Sequence, residues 1–383
     1  MTLRGLHRTP HRSLPLTIGV EEEYLLVDPV SRRVSAEADK VVVHAAAQLG
    51  DRVTTELTRY QVEVRTDPHT SLADLGDQLR CNRTAVSAAA ARLGLAVVSS
   101  GSPVLGGQTP PPFTSGPRYA RSVATFGALD HEQSVCACHV HLGVPDESTA
   151  VELSNHLRPW LPALTGLAAN SPYWDGLDTG YASWRTMTWG RWPVAGPPPY
   201  FSSRAHFQDV VGGLIASGAV MDRGGVYWDI RPSHHVPTLE MRMADAAPTV
   251  EDTVLLAGTI KALATTAVAA IRRSEAAPRP GPEMLKAACW RAARDGLAGA
   301  GMNLRTGLVE PATALIERLS HTVQNALGAA DLAPLHSARA RLLAWGNGAD
   351  RQRDAYRRRR HLPDVVDHLI HSMTGEIASS GCD

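Results

Sequence analysis

Lysine is scarce: of the 38 basic residues only Lys40, Lys261 and Lys286 are lysines. None stands in the pattern GxxxxGK[ST], whose backbone cradles phosphates, so a P-loop nucleotide site is excluded. Net charge is lacking too. Lys plus Arg (38) balance Asp plus Glu (38), which removes the long-range positive field that draws proteins onto nucleic acid. Nucleic acid is not an expected partner. Cysteine is sparse and odd in number, with Cys81, Cys136, Cys138, Cys289 and Cys382 in 383 residues. Such a set does not suggest a disulfide framework and favours a cytoplasmic setting. A membrane protein, which needs continuous apolar runs of about 18 residues, does not fit the composition. What is present is 44% apolar and 20% charged residues, enough for a soluble protein with a sizeable core. The basic opening MTLRGLHRTPHR leads into no apolar signal segment, because Gly19 and the run Glu21, Glu22, Glu23 interrupt it. Residues 1–15 are expected to be a flexible tail.

Leu16 to Val27 alternate as a strand, with Ile18, Val20, Glu22, Tyr24 and Leu26 on one face and Gly19, Glu21, Glu23, Leu25 and Val27 on the other. Residues 71–93 carry Leu72, Leu75, Leu79, Val86 and Leu93 at helical spacing, with Ser71 and Asp74 in capping-box positions. Further strands are expected at 95–100, 134–144, 226–231 and 238–244, the last two joined by PSHHVP, and one in the stretch 53–66. Helices are expected at about 146–168, 204–217 and 249–273. Between the first two lies a Trp-, Gly- and Pro-rich segment, 171–201, too irregular for one element and expected to be a substrate loop. AAPRPGPE (276–283) marks a change in composition, after which the chain is mostly helical. The expected fold class is α+β: one catalytic domain over 16–383, with its sheet in 16–275, a helical part in 284–383, and the helices to one side of the sheet.

Four motifs put chemistry on these strands. Glu21 and Glu23 share a face about 7 Å apart, close enough to serve adjacent metal ions, although a surface strand shows the same pattern. Glu56 and Glu63, seven residues apart, share a face only if the chain is helical or bends between them. In CACHVHLG, His139 and His141 share a face while Cys136 and Cys138 point the other way, which disfavours a zinc site made from the cluster. In LEMRM, Glu240 and Arg242 stand together opposite Leu239, Met241 and Met243, with Arg231 near them on the partner strand. That arrangement suits a cross-strand ion pair, or a carboxylate for a divalent cation beside a guanidinium for a phosphoryl oxygen. Hard oxygen ligands select Mg²⁺ or Mn²⁺, and magnesium with a nearby arginine is what γ-phosphoryl transfer from ATP requires.

The phrases GVEEEYLLVD, ELTRYQVEV, CHVHLGVPD, SPYWDGLDTGYASWR, LEMRMADAAPTVED and WGNGADRQRDAYRRR, in this order over about residues 16 to 372, resemble the bacterial carboxylate-amine ligases. These are also called the glutamate-cysteine ligase type 2 family and belong to the glutamine synthetase-like superfamily. The resemblance implies a six-stranded antiparallel half-barrel holding ATP and two or three Mg²⁺ ions on its concave face, with helices on the convex side. It would make Glu21, Glu23, Glu56, Glu63 and Glu240 metal-binding carboxylates, His139 a metal or nucleotide contact, and Arg242 the γ-phosphoryl clamp. His141 and Arg231 are weaker transfers. The implied reaction phosphorylates a carboxylate, in the family the γ-carboxylate of glutamate, and passes the acyl group to cysteine or another amine. The implied partners are small-molecule acids and amines, with a homodimer as the expected assembly.

Trp184 and Arg185 are candidates for gripping a substrate, against core packing as the alternative. The run Arg357 to Arg360 is either a solvated helix face or a lid over phosphates. GNGAD (346–350) caps a helix or turns toward the nucleotide. Two rival readings stand beside the ligase: a two-metal hydrolase using His139, His141, His234, His235 and Asp245, and a catalytically silent relative that binds ATP or glutamate.

Overall fold

The computed structural model describes residues 16–304 and 306–374, so the expected N-terminal tail and Cys382 lie outside the described residues. The alternating segment forms the central strand β1 (Ile18–Val27). The other strands of its sheet are β2 (Val53–Thr55), β3 (Gln61–Arg65), β4 (Ala96–Val98), β5 (Ala137–Gly143), β6 (Ile230–Pro232) and β7 (Thr238–Asp245). Six of them run in the order β6-β7-β5-β1-β3-β2, and every neighbouring pair is antiparallel. The sheet is open. The seventh, β4, pairs with Leu25–Val27 of β1 beyond the point where β5 stops. The expected six-stranded sheet is therefore present as a path of six. The count reaches seven because 53–66 is a hairpin, not one strand: residues 56–60 turn the chain between β2 and β3.

Ile18 and Val20 of β1, with Val140, Leu142, Leu239 and Met241 of β5 and β7, bury against helices Leu72–Ala91, Glu147–Leu157, Leu161–Ala168 and Val250–Arg272. Burying such side chains contributes about 1.5–3 kcal/mol each. The opposite face is left to the polar residues over Gly19 to Glu23. Farther along, Leu25 and Val27 are covered by Val365, Val366 and Leu369 of the last helix, Leu362–Thr374, so helices close that end of the polar face.

Local chemistry sets several boundaries. Ser71 Oγ accepts the amides of Ala73 and Asp74, the forward half of the expected capping box. The helix expected at 146–168 is two, Glu147–Leu157 and Leu161–Ala168, separated by a 3₁₀ turn at Arg158–Trp160. Pro159 and Pro162 lack the amide hydrogens that one continuous helix would need. Helix Val250–Arg272 is long and apolar enough to cross a membrane by length and composition, but 67% of its most apolar window is buried within the protein. GNGAD is a helix cap: Asn347 accepts the Asp350 amide, Asp350 returns the bond, and helix Gly348–Arg359 follows. Cys136, Cys138 and Cys289 are free and buried, whereas Cys81 is disulfide-bonded, which the sparse, odd cysteine set did not lead us to expect.

Candidate active site

Antiparallel pairing places cross-strand partners on one face of a sheet. Glu23 stands opposite Glu63, Glu21 opposite His139, and Glu240 opposite both His141 and Arg231. Three rows of polar side chains thus converge from five strands on the polar face. They line a cleft of about 2,700 Å³, larger than the roughly 300–1,000 Å³ of a site for one small ligand. The Cys138 thiol is buried in the core on the other side, whereas Cys136, expected on that face too, packs with Leu25 and Val27 on the polar-face side and accepts from Gln61 at 3.5 Å, because it precedes β5 and lies outside its alternation.

Two groups of three side chains bring ligand atoms within 4.8 Å of one another: Glu21, His139 and Glu240, and Glu23, Glu63 and His139. His139 belongs to both. Its Nδ1 is 3.2 Å from Glu21 Oε2, while its buried Nε2 has no hydrogen-bond partner. His141 Nε2 lies 3.3 Å from Glu21 Oε1, and its Nδ1 meets Thr238 Oγ1 at 2.9 Å. Glu56 sits in the hairpin turn, which supplies the bend its spacing from Glu63 demanded. It lines the same cleft but joins neither three-residue group, and its carboxylate accepts the Leu57 amide at 2.7 Å.

The electrostatics are those of a cation site. Burial and the neighbouring Glu56 carboxylate push Glu23 up to about 8. Burial, with Glu21, Glu56 and Glu23 around it, holds Glu63 well above the usual carboxylate range, and burial raises Glu56. Burial acts the same way on Glu21 and Glu240, but there it is overcome: hydrogen bonds from His139 and His141 hold Glu21 low, and Arg242 and Arg231 hold Glu240 low. Burial and Arg242 push His139 down to about 4, so its imidazole is neutral and can donate a lone pair. Like-charged carboxylates crowded together with an unpartnered imidazole nitrogen fit a hard divalent cation.

The two arginines differ. Arg231 spends its donors inside the protein, on Glu240 Oε2 at 2.8 Å and on the carbonyls of Gly224 and Val226 at 2.7 and 2.9 Å. Arg242 bonds Glu240, lies 5.9 Å from the Trp189 ring centre, and keeps a buried Nε with no partner. It can still engage a ligand. Glu22, the middle member of the acidic triplet, faces the helices and forms a buried ion pair with Arg83 at 2.5 Å, joined by Thr253 and Tyr24.

Trp184 and Arg185 do not line the cleft. Arg185 is buried beneath it, donating to the Arg242 carbonyl at 3.0 Å, and Trp184 packs on Tyr181. The segment 171–201 holds a short hairpin, Tyr173–Trp174 with Leu177–Asp178, and helix Trp184–Trp189; Trp189 and Trp192 are its residues on the cleft. Sequence reasoning missed these two, although WGRW lay within the segment it singled out. It also missed Arg118 and Tyr119, which no motif marked. Arg357 to Arg360 are exposed and lie off the cleft, with Arg357 on Asp354 and Arg359 on Asp364. The hydrolase arrangement does not form: Asp245 is consumed by Asn170, Ser171 and Ser183, and His234 and His235 sit against each other at the cleft without joining the carboxylates.

Residues 17–377 match the glutamate-cysteine ligase family 2. The chain belongs to this family. A relative from Saccharopolyspora erythraea, provisionally named glutamate-cysteine ligase 2-1, is 44% identical over 93% of this chain and 94% of its own. One of the same provisional name from Nocardia farcinica is 43% identical over 96% and 94%. Among solved structures, the glutamate-cysteine ligase of Francisella tularensis in complex with AMP superposes with a TM-score of 0.67 at 12% identity, covering 95% of this chain and 90% of that one. A bifunctional glutathione synthetase from Pasteurella multocida gives 0.65 at 12% identity over 94% of this chain and 52% of that one. At such identity the structures show a shared fold, and the family match carries the rest. Membership makes this protein an ATP-dependent carbon-nitrogen ligase of the carboxylate-amine kind.

Proposed function

We propose that the protein activates the γ-carboxylate of glutamate, or of a related acid, as an acyl phosphate and passes the acyl group to cysteine or another amine. The observation that carries this reading is the pair of three-residue ligand groups sharing His139, with Arg242 beside them on one open sheet face. Glu21, Glu23, Glu63, Glu240 and His139 would hold Mg²⁺ or Mn²⁺, with Glu56 near enough to add charge. The ions supply neutralisation of the nucleotide phosphates. Arg242 offers its unpartnered Nε to a γ-phosphoryl oxygen. Arg231 is a positioning residue, fixing the Glu240 carboxylate between two guanidinium groups. The substrate carboxylate oxygen attacks phosphorus and ADP departs; the amine then attacks the acyl carbon, the bond to phosphate breaks, and an amide and inorganic phosphate result. A carboxylate is a poor electrophile and phosphate a good leaving group, so the chemistry needs no covalent enzyme nucleophile. We further propose that the protein works in the cytoplasm as a homodimer.

Purified protein given Mg²⁺, ATP, glutamate and a panel of amines is expected to release ADP and phosphate in step with an amide detected by mass. Glu240→Gln is expected to lower that rate at least about a hundredfold, the usual size of a lost transition-state contact. ATP binding with no turnover for any acid and amine would replace this reading with that of a silent relative.

A further inference from the structure

One end of the cleft holds polar atoms that the phosphoryl-transfer residues do not use. Asp130 is fully buried; its Oδ2 accepts from Ser122 Oγ at 2.9 Å, but its Oδ1 has no hydrogen-bond partner. Gln133, 1% exposed, donates its amide nitrogen to the Thr188 carbonyl and leaves its Oε1 without a partner. The indole Nε1 groups of Trp189 and Trp192 are also buried and unpartnered. Leaving such atoms unmet costs about 1–3 kcal/mol each, and the two acceptors, Asp130 Oδ1 and Gln133 Oε1, argue for a ligand that donates to them. All four residues line the cleft, as do Ser122 and Tyr227.

The walls are aromatic. Trp189 and Trp192 stand 4.8 and 5.3 Å from the Tyr227 ring, and Trp192 meets Phe126 edge-on at 5.1 Å. Aromatic faces with a carboxylate among them attract a cation. The place adjoins the reacting groups: Trp189 also stacks near Arg242, and four residues after Gln133 the Ala137 amide binds Glu23 at 2.9 Å. Arg118 and Arg191 are paired, with Asp222 and Glu132, whereas Arg185 and Arg242 lie 5.7 and 5.9 Å from the Trp189 ring centre and each keeps a buried Nε without a partner.

We infer that this is the acceptor subsite, and that it takes a primary amine with an apolar or aromatic body. The inference rests on the ligase reading and narrows it. The ammonium donates to Asp130 Oδ1 and Gln133 Oε1, and the body lies against Trp189, Trp192 and Tyr227. The bound ammonium gives one proton to the Asp130 carboxylate. The neutral amine then forms the C–N bond as the C–O bond to phosphate breaks, and its second surplus proton leaves on phosphate as HPO₄²⁻.

Two measurements on the full chain test this. Benzylamine binding, read by intrinsic tryptophan fluorescence and by calorimetry, is expected in the wild type and is expected to weaken at least tenfold in Asp130→Asn and in Trp192→Phe. Steady-state phosphate release is expected to favour benzylamine over ethylamine in kcat/KM, and both variants are expected to raise the amine KM at least tenfold while the KM for ATP stays within twofold. Retained folding of the two variants is checked by circular dichroism, with Trp192→Phe as the milder change. No benzylamine binding, an amine KM unchanged in both variants, or no preference for benzylamine over ethylamine would overturn the subsite. Asp130-dependent amine binding with no ligase turnover would sink the ligase reading and leave the subsite standing.

Discussion

The crowded carboxylates give the protein a dependence of stability on pH and on divalent cation that can be worked out in sign and size. Glu23 is raised from its ordinary 4.5 to about 8. Between those values the folded state holds a proton that the unfolded chain has lost, so stability falls as pH rises. His139 acts oppositely: lowered from 6.5 to about 4, it contributes stability that grows with pH and is complete above 6.5. The window from pH 6.5 to 8 therefore lies above the His139 contribution. One proton over 1.5 pH units, at about 1.36 kcal/mol per unit, is about 2 kcal/mol. With an unfolding entropy of about 2.1 cal/mol/K per residue, 383 residues give about 0.8 kcal/mol/K, and the loss is about 2–3 °C in Tm. Glu63 and His141, both raised, add in the same direction. Magnesium competes with those protons, so it is expected to raise Tm more at pH 8 than at pH 6.5 and to release protons as it binds. Differential scanning calorimetry in EDTA and in saturating Mg²⁺ at the two pH values, with titration in two buffers of different ionisation enthalpy, reads both. A Tm in EDTA that is flat or rising across the window, or a magnesium gain independent of pH, would refute the reasoning.

Three other outcomes follow from the fold. Glu22→Gln leaves Arg83 buried without its carboxylate and is expected to cost about 3–5 kcal/mol in urea unfolding, while the magnesium-dependent gain in Tm persists because Glu22 faces away from the cleft. Asn347→Ala removes a helix cap and the bond from Nδ2 to the Gly166 carbonyl at 2.8 Å, and is expected to cost about 2–3 kcal/mol by the same measurement. Arg357→Ala and Arg359→Ala are expected to leave both the unfolding midpoint and the KM for ATP unchanged, since these side chains are 66% and 74% exposed and off the cleft. An ATP KM raised more than about threefold would restore a lid role.

Much of the site was legible because a strand has a period of two. That period alone separated Glu21 and Glu23 from Glu22, and His139 and His141 from Cys138, but it misplaced Cys136, which lies just before β5 begins. Glu56 was the ambiguous case. Its spacing from Glu63 fits neither face of one strand, and the hairpin at 56–60 supplies the turn that linear reasoning could only require. Trp184 and Arg185 show the opposite failure. They belong to a conspicuous phrase, yet a short helix turns Arg185 under the site and presents Trp189 instead.

The sequence by itself determined the α+β class, the strand faces and the family, since periodicity and long ordered phrases are local properties that survive without coordinates. Only the tertiary structure decided that Glu63 meets Glu23, that His139 serves two ligand groups, that Arg242 keeps an unpartnered Nε while Arg231 spends its donors on Glu240 and backbone carbonyls, and that Asp130 lines the same cleft as Trp189 and Trp192. Those facts are matters of register between strands far apart in the chain and of which buried donors find partners, and neither is fixed until the sheet has closed over its helices.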